Sequence, residues 1–148
     1  LFASLRHQGL VPASAARLMS RVLEYRRRTA ASVMVPLNKI VAVNPDMPAS
    51  MALQVASQHG FIALPVLGES GTYDGVITIT ALPANLPADH MVRQYMRPVD
   101  EVDGSLPALE VLQHLRRRNR SLALVMDSRR HAIGLVTEED LFAPLLTR

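Results

Sequence analysis

The residues with the clearest potential for chemistry lie in the stretch 134–141, which reads GLVTEEDL. Its apolar residues are typical of a strand, and Thr137 followed by acidic residues indicates that a helix begins there. First-turn N–H groups lack internal partners and carry partial positive charge, so a phosphate can bind beside the Thr137 hydroxyl. One turn later, the Asp140 carboxylate lies on the same side and can accept both hydroxyls of a ribose. The junction can therefore hold a nucleotide.

The same residues also have a simpler structural interpretation. Thr137 can be an ordinary helix N-cap, and Glu138, Glu139 and Asp140 can be first-turn acids that complement the helix dipole. Because caps are far commoner than ligand sites, the local sequence alone favours this role. The three acids can hold Mg²⁺ together with a nucleotide phosphate. As a metal-only site they are unsuitable, because adjacent side chains on a helix point in divergent directions.

A second copy of the stretch shifts the balance toward a ligand site. Residues 75–82 read GVITITAL and precede residues 134–141 by a constant offset of 59, from Gly75 to Gly134. Further matched pairs are 47–48 with 106–107, 53–54 with 112–113, 64–67 with 123–126 and, at an offset of 62, 34–36 with 96–98. The chain therefore contains an internal duplication, which has to be recognised before a fold is assigned.

Length and composition describe one compact unit with a proper core, because the 148 residues are 49% hydrophobic and 20% charged. Every apolar run is shorter than the roughly 20 residues of a membrane-spanning helix, and the start lacks a signal-peptide pattern. The absence of cysteine excludes disulfides, thiolate nucleophiles and Cys-based zinc sites. Because the chain begins with Leu, we expect it to be an excised part of a longer protein.

Charge gives little support for a nucleic-acid partner. The net charge is only +3, and the arginines cluster at 26–28 and 116–118. Aromatic residues for base stacking amount to 4%, and the sequence contains no recognition motif. The second cluster is better explained as a helix end, where cations complement the negative pole. We therefore predict that the chain does not bind nucleic acid.

Hydrophobic periodicity predicts a helical segment over residues 1–31, broken at residues 10–12 by proline. Its second part has an apolar face that requires a partner, either the rest of the chain or a twin subunit. That face comprises Ala15, Leu18, Met19, Val22 and Leu23. The sequence does not decide between the two partners.

Each copy predicts a β-α-β-β-α unit. In the first copy the predicted elements are a strand at 40–43, a helix at 48–59 and strands at 62–67 and 75–79. In the second copy they are a helix at 107–118, strands at 122–126 and 132–136, and a closing helix from Thr137, which Pro144 interrupts. We expect an α/β (α+β) fold in which the two repeats pack sheet to sheet about a pseudo-twofold axis. The predicted boundaries are 1–31 for the linker, 32–86 for repeat 1 and 87–148 for repeat 2.

These motifs and their order resemble a tandem pair of cystathionine-β-synthase (CBS) domains, a Bateman module. The chain is similar in particular to the cytoplasmic part of CorC/HlyC-type membrane proteins, which are related to the CNNM magnesium-transport proteins. The resemblance extends from residues 9–11 through 28–36 to 137–141. It implies that residues 1–30 link a membrane domain to the pair, at the cytoplasmic face of the membrane. Arginines 26–28 would then lie near anionic lipid or a partner.

The resemblance also implies an adenine nucleotide, AMP, ADP or ATP with Mg²⁺, in the cleft between the repeats. It assigns the phosphate-side hydroxyl to Thr137 and the ribose carboxylate to Asp140. The turn at residues 61–65 would form the wall around the base, with Phe61, Ile62, Ala63 and Pro65 as the proposed ligand residues. Phe61 can stack on adenine, or it can simply belong to the core.

Three departures from the family pattern bear on the ligand. Ala81 stands where the first repeat would have a ribose-binding Asp, so we expect nucleotide at the Asp140 site and none at the Ala81 site. Ala63 and Leu37 stand where relatives commonly have Arg, which weakens the case for a triphosphate. Arg118 and Arg120 can compensate if they point toward the cleft.

Catalysis has no support in the sequence. The histidines are scattered, and none has a metal-ligand spacing or a partner in a catalytic motif; they are His7, His59, His90, His114 and His131. We expect a non-enzymatic regulatory module that senses adenine nucleotide for a membrane ion-transport protein and forms a homodimer. The alternative is a structural dimerisation domain with degenerate pockets, and Ala63 and Ala81 favour it.

Overall fold

The structure is a computed structural model that describes residues 13–146. In chain order the elements are α1 (Ala13–Tyr25), α2 (Ala30–Val33), β1 (Val35–Pro36), α3 (Ala49–His59), β2 (Ala63–Leu67), β3 (Tyr73–Thr78), β4 (Asp100–Asp103), α4 (Ala108–Arg117), β5 (Leu122–Met126), β6 (Ala132–Thr137) and α5 (Glu138–Leu146). Over this range, none of the helices has the length and apolar character needed to cross a membrane. The predicted proline break at residues 10–12 lies outside the described residues.

The larger sheet has the strand order β1-β6-β5-β4. Strand β4 is parallel to β5, and the other two pairs are antiparallel. The helices α2, α4 and α5 cover one face of this sheet with a core that includes Val111, Leu115, Val125, Val136 and Leu141. Each of these side chains is fully buried. We call this unit, residues 29–36 with 100–146, the second lobe.

The smaller sheet is the antiparallel pair of β2 and β3. Val43 extends it by a parallel bridge to Val66, and Arg97 extends its other edge by an antiparallel bridge to Val76. A second core, which includes Leu64, Ile77 and Val92, fills the space between this sheet and α3. We call this unit, residues 43–81 with 91–97, the first lobe.

The lobes exchange their leading segments. Val35 pairs with Leu135 of the second lobe, whereas its repeat equivalent Arg97 pairs with Val76 of the first lobe. Earlier in each leading segment, the bridge between Thr29 and Pro107 has its counterpart in the bridge between Met91 and Pro48. Each lobe is therefore completed by the segment that precedes the other copy in the chain.

Two glycines make this exchange sterically possible. A Cβ added at Gly134 would lie 2.7 Å from the Val35 carbonyl oxygen, and one at Gly75 would lie 2.5 Å from the Arg97 carbonyl oxygen. Carbon and oxygen atoms that are not bonded to each other do not approach so closely without a shift of the backbone. Because the exchanged segments cross β6 and β3 at these points, a residue without a side chain is required at each.

The two lobes meet through a third core, to which residues from equivalent positions of both repeats contribute. Ala63 and Leu122 contribute as one such pair, and Val76 and Leu135 as another. All four side chains are buried. The predicted α/β fold with two repeats packed about a pseudo-twofold axis is confirmed by this arrangement.

The first copy departs from the predicted β-α-β-β-α order at both ends. Its first strand, predicted at 40–43, is reduced to the single bridge at Val43, because the turn at Pro45 follows at once. Its closing helix is a single 3₁₀ turn at Ile79–Ala81, where Thr78 makes no capping hydrogen bond. Pro83 follows, and the residue before a proline disfavours the α conformation.

The predicted interruption at Pro144 is wrong, because α5 runs through Pro144 to Leu146. A proline removes one backbone donor from a helix, and its ring crowds the carbonyl one turn earlier. Here that carbonyl belongs to Asp140, and α5 continues past Pro144 without a backbone hydrogen bond from residue 144 to it.

The helix α1 is attached to the second lobe at its C-terminal end. The hydroxyl group of Tyr25, which is 3% exposed, donates a hydrogen bond of 2.5 Å to the carbonyl oxygen of Leu141. Burial raises the pKa of this tyrosine above its ordinary value. The predicted apolar face remains largely uncovered, because Leu18, Met19, Val22 and Leu23 are 43–55% exposed.

Candidate functional site

A cleft of about 390 Å³ lies between the two lobes. Four parts of the chain line it: Val35 of β1 with residues 39–41, residues 60–65 after α3, residues 119–121 after α4, and residues from 135 to 140 at the junction of β6 and α5. All six residues that the sequence analysis proposed as nucleotide ligands line this one cleft; they are Phe61, Ile62, Ala63, Pro65, Thr137 and Asp140.

Thr137 and Asp140 form a reciprocal hydrogen-bonded pair at the start of α5. The Asp140 N–H donates to the Thr137 hydroxyl oxygen at 3.2 Å, while the Thr137 N–H and hydroxyl donate to Asp140 Oδ2 at 3.1 and 2.9 Å. This is a capping box with Asp at the third helical position. Within residues 13–146, Asp140 Oδ1 makes no hydrogen bond, so the carboxylate retains an acceptor for a ligand.

This geometry reconciles the two interpretations of the junction. The structural interpretation describes the local hydrogen bonds, because Thr137 is the N-cap of α5 and Asp140 completes the capping box. The pairing also fixes both side chains in one orientation at the wall of the cleft. A carboxylate that is held in place before binding loses little conformational freedom when a ligand hydroxyl arrives.

Phe61 and Ile62 form the exposed part of the opposite wall. Helix α3 ends at Gly60, whose positive φ of 70° allows the chain to turn sharply out of the helix. Phe61 is then 43% exposed, and one face of its ring stacks on His59 with ring centroids 5.4 Å apart. The interpretation of Phe61 as a core residue is therefore wrong. A flat ring or apolar group can approach the wall at Phe61 and at Ile62, which is 67% exposed.

Ala63 and Pro65 shape the cleft without offering exposed side chains. Ala63 is 8% exposed and belongs to the core between the lobes, and Pro65 is fully buried. The Pro65 carbonyl accepts a hydrogen bond from Val43 N–H at 3.0 Å, so it is already occupied. These two residues therefore act through the position of β2, and neither brings a charge to the cleft.

Lys39 and the two neighbours of Arg120 in the lining were missed from the sequence. Arg120 itself was expected there as a compensating cation and lines the cleft, whereas Arg118 does not. Lys39 comes from the 3₁₀ turn Leu37–Lys39 and brings a cation two positions after Leu37. The segment 119–121 comes from the C-terminal end of α4, where Asn119 has the positive φ of 53°. The repeat offset of 59 maps this segment onto residues 60–62, which belong to the predicted wall. The duplication therefore indicated that residues 119–121 also lie near the space between the repeats.

Arg120 belongs to a charged cluster around Asp100, whose side chain is only 9% exposed. His114 Nε2, Arg118 Nε and Arg120 Nε lie 3.2, 3.1 and 3.4 Å from the two carboxylate oxygens. The geometry at Arg120 does not make a hydrogen bond, and in the described part of the chain its buried Nε has no other hydrogen-bond partner. Asp100 thus holds the guanidinium of Arg120 between the lobes by an ion pair.

The charges that line the cleft are mixed. Lys39 and Arg120 are the cations, and Glu138, Glu139 and Asp140 are the acids. Arg116 lies 4.0 Å from Glu138 and partly neutralises it. The acids outnumber the cations, so each additional negative charge on the phosphates of a ligand makes the Coulomb energy of binding less favourable.

The pseudo-equivalent position has a pocket of its own, of about 250 Å³. We call it the Ala81 pocket. Its lining comprises Val76, Thr78, Thr80, Ala81, Arg97, Pro98, Asn119, Arg120, Ser121 and Leu122. Its charged residues are two arginines, and none of its lining residues is acidic. The lining therefore lacks the carboxylate that Asp140 supplies to the cleft.

Among the described residues, no group of three or more His, Asp or Glu side chains has a geometry that could hold a metal ion. The acids at the start of α5 thus do not form a site by themselves.

Comparison with known proteins shows what the chain is similar to. A sequence profile of the CBS domain matches it twice, over residues 30–82 and 92–146. The predicted tandem pair is confirmed by this double match. Among curated relatives, UPF0053 protein Mb2387c of Mycobacterium bovis is 27% identical in an alignment of 150 positions that covers 95% of this chain and 34% of that protein. The chain therefore spans about a third of the length of such relatives.

Solved structures share the fold. The CBS domain of the bacterial CNNM/CorC family Mg²⁺ transporter has a TM-score of 0.85 at 22% identity, covering 99% of this chain and 92% of that one. A structure of that domain in complex with ATP has a TM-score of 0.74 at 24% identity, with 87% and 94% covered. For CBSX2 in complex with AMP the TM-score is 0.68 at 22% identity, with 80% and 96% covered. At these identities the likeness establishes the fold alone.

Proposed function

The chain belongs to the CBS-domain family as a tandem pair, and on this premise we propose that it is a regulatory module whose interlobe cleft binds an adenine nucleotide. One observation carries the proposal: six residues selected from the sequence line a single cleft, with Asp140 fixed by Thr137 and one carboxylate oxygen available. The neighbouring structures with ATP and AMP support the ligand class.

In the proposed complex, the base lies against Phe61 and Ile62 and the ribose hydroxyls donate to Asp140. The first-turn N–H groups of α5, Lys39 and Arg120 face the phosphate. Because acids outnumber cations in the lining, AMP or ADP competes well with ATP, and Mg²⁺ improves ATP binding by neutralising part of its charge. The ligand spans both lobes, so it can bias their relative packing only by a difference in affinity between two arrangements.

The decisive test is calorimetric titration with AMP, ADP and ATP, each with and without Mg²⁺. Asp140→Ala removes the ribose acceptor, and the loss of a hydrogen bond to a charged group corresponds to about ten- to hundredfold weaker binding. Thr78→Ala, at the pseudo-equivalent of Thr137, should leave the nucleotide affinity within about twofold of the wild-type value. The reason is that Thr78 does not line the cleft.

A fold control is needed because Asp140→Ala also breaks a capping box, which costs about 0.5–2 kcal/mol of stability. Thr29→Ala breaks the comparable capping box of α2, where Ser32 N–H donates to the Thr29 hydroxyl at 3.3 Å, outside the cleft. We expect it to lower stability without weakening nucleotide binding. Equal affinities in wild type and Asp140→Ala would contradict the proposed site.

The second candidate is a structural dimerisation domain with pockets that no longer bind. The uncovered apolar face of α1 and the alanines at positions 63 and 81 favour it. The absence of binding heat with all three nucleotides at millimolar concentrations would decide for this candidate and against nucleotide sensing.

We further propose that the module is the cytoplasmic part of a membrane ion-transport protein of CorC type, attached through its N-terminus. The support is the resemblance of the opening segment to a linker that follows a membrane domain, together with the greater length of the relatives. Sequencing the gene upstream of Leu1 tests this attachment. A start codon a few residues upstream would contradict it.

A further inference from the structure

The Ala81 pocket has the chemistry of an anion site rather than that of a nucleoside site. Its charged lining residues are Arg97 and Arg120, and its polar ones are the hydroxyls of Thr78, Thr80 and Ser121 with the amide of Asn119. All of these groups can donate hydrogen bonds. A ribose requires an acceptor for its hydroxyls, and Ala81 occupies the position at which the cleft has Asp140.

The two arginines of this pocket differ in their ion pairing, because Arg120 is paired with Asp100 at 3.4 Å and, among the described residues, Arg97 is not paired. Arg97 is exposed, and its guanidinium forms no ion pair within residues 13–146, although its backbone is fixed by two hydrogen bonds of 2.8 Å to Val76. Arg120 has a buried Nε that lacks a hydrogen-bond partner among the described residues. In the described part of the chain, Arg97 is therefore the unpaired cation of the lining, and Arg120 contributes a second guanidinium whose charge Asp100 partly balances.

We propose that the Ala81 pocket binds a small phosphate-bearing anion, inorganic phosphate or a small phosphomonoester, through Arg97 and Arg120. Guanidinium groups bind such dianions by short charge-assisted hydrogen bonds, and the neighbouring hydroxyls add neutral donors. The pocket is smaller than the cleft, about 250 against 390 Å³. This inference does not require that a nucleotide binds in the cleft.

The two sites share one side chain, because the segment 119–121 lines both of them. A phosphate group in the cleft and an anion in the Ala81 pocket therefore compete for the guanidinium of Arg120, and their charges repel each other. The coupling is reciprocal by linkage. AMP in the cleft should weaken phosphate binding by about fivefold or more, whereas adenosine, which has no phosphate, should not.

The test is calorimetric titration of the folded chain with inorganic phosphate at constant ionic strength, in wild type and three variants. Arg97→Gln removes one of the two cations and should weaken phosphate binding about ten- to hundredfold. Arg129→Gln is the matched control, because Arg129 is also exposed but lines neither pocket. Asp140→Ala should leave phosphate affinity unchanged.

The outcomes separate this proposal from the nucleotide site. Phosphate binding that is lost in Arg97→Gln but retained in Arg129→Gln and Asp140→Ala supports it, whether or not any nucleotide binds. No phosphate binding by the wild type at millimolar concentrations, or an equal affinity in Arg97→Gln, would overturn it. Loss of phosphate binding in Asp140→Ala would also overturn it, because the phosphate would then occupy the cleft. AMP binding that is abolished by Arg97→Gln and survives Asp140→Ala would identify the pocket as a nucleotide site instead.

Discussion

Replacing Gly134 by alanine tests whether the exchanged segment β1 must cross β6 at close range. The added Cβ would lie 2.7 Å from the Val35 carbonyl oxygen and 2.9 Å from Met34 Cγ. The methionine side chain can rotate away, but the Val35 carbonyl is backbone and is held by the pairing of β1 with β6. We therefore expect β1 to be displaced from the sheet edge.

The expected cost follows from overpacking. Extra methyl groups forced into a packed site cost about 1–3 kcal/mol. For a chain of this size, each kcal/mol lowers the melting temperature by about 2–4 °C, so Gly134→Ala should lower it by about 2–12 °C. Because Val35 and Leu135 line the cleft, nucleotide affinity should fall as well.

Two further glycine variants make the assay specific. At Gly104 an added Cβ would have 3.3 Å to its nearest neighbours, so Gly104→Ala should be much milder under the same thermal and chemical unfolding measurements. Gly75→Ala reproduces the clash in the first lobe, against the Arg97 carbonyl oxygen. It should destabilise the chain comparably but weaken phosphate binding more than nucleotide binding. A melting temperature of Gly134→Ala equal to that of wild type would refute the close crossing.

Other perturbations address α1. Tyr25→Phe leaves the buried Leu141 carbonyl without its donor and should cost about 1–3 kcal/mol in chemical unfolding. Burial raises the pKa of Tyr25 above 10.0, so the unfolded chain loses this proton at lower pH than the folded chain. Stability should fall as the pH rises above that value, and Tyr25→Phe should fall less steeply if this ionisation is responsible. If the apolar face of α1 is buried in a homodimer, Leu18→Glu with Leu23→Glu should convert a dimeric mass in light scattering to a monomeric one, and a monomeric wild type would rule the dimer out.

The fold of the second copy was largely predictable, because its elements carry local signals. The strand at Leu122–Met126 was predicted with its observed bounds, and the helix of the second copy differs by one residue at each end. The first copy was predicted by analogy, and the analogy failed where its local signals differ. Ala81 cannot complete a capping box with Thr78, and Pro83 stands two positions later.

The exchange of leading segments could not be predicted from local pattern. The pairing of Val35 with Leu135 joins residues a hundred positions apart, and a strand of two residues has no periodicity to detect. The matched motifs at 34–36 and 96–98 indicated equivalent roles but not which sheet each would join. That choice is made by tertiary packing.

The candidate site was predictable to the extent that the duplication and the resemblance covered it. Six residues that were selected from the sequence line one cleft. Lys39 was missed because it follows a motif instead of belonging to one. The direction of Arg120 depends on Asp100, which is 20 positions away, and a buried ion pair leaves no pattern in the sequence.

The exchange of segments also governs the order in which the chain can fold as it is synthesised. Residues 29–36 emerge early, yet their partner strand β6 ends a hundred positions later, so they wait while the first lobe forms. The first lobe in turn lacks its edge residue Arg97 until the connector has been made. The entropy of closing loops of this length is lost before the long-range contacts form. Folding is therefore slower than for a chain of two self-contained repeats. A ribosome-bound half of this protein is thus an incomplete sheet with an open edge. The final strand to emerge, β6, completes the sheet of the second lobe and brings Thr137 into the cleft.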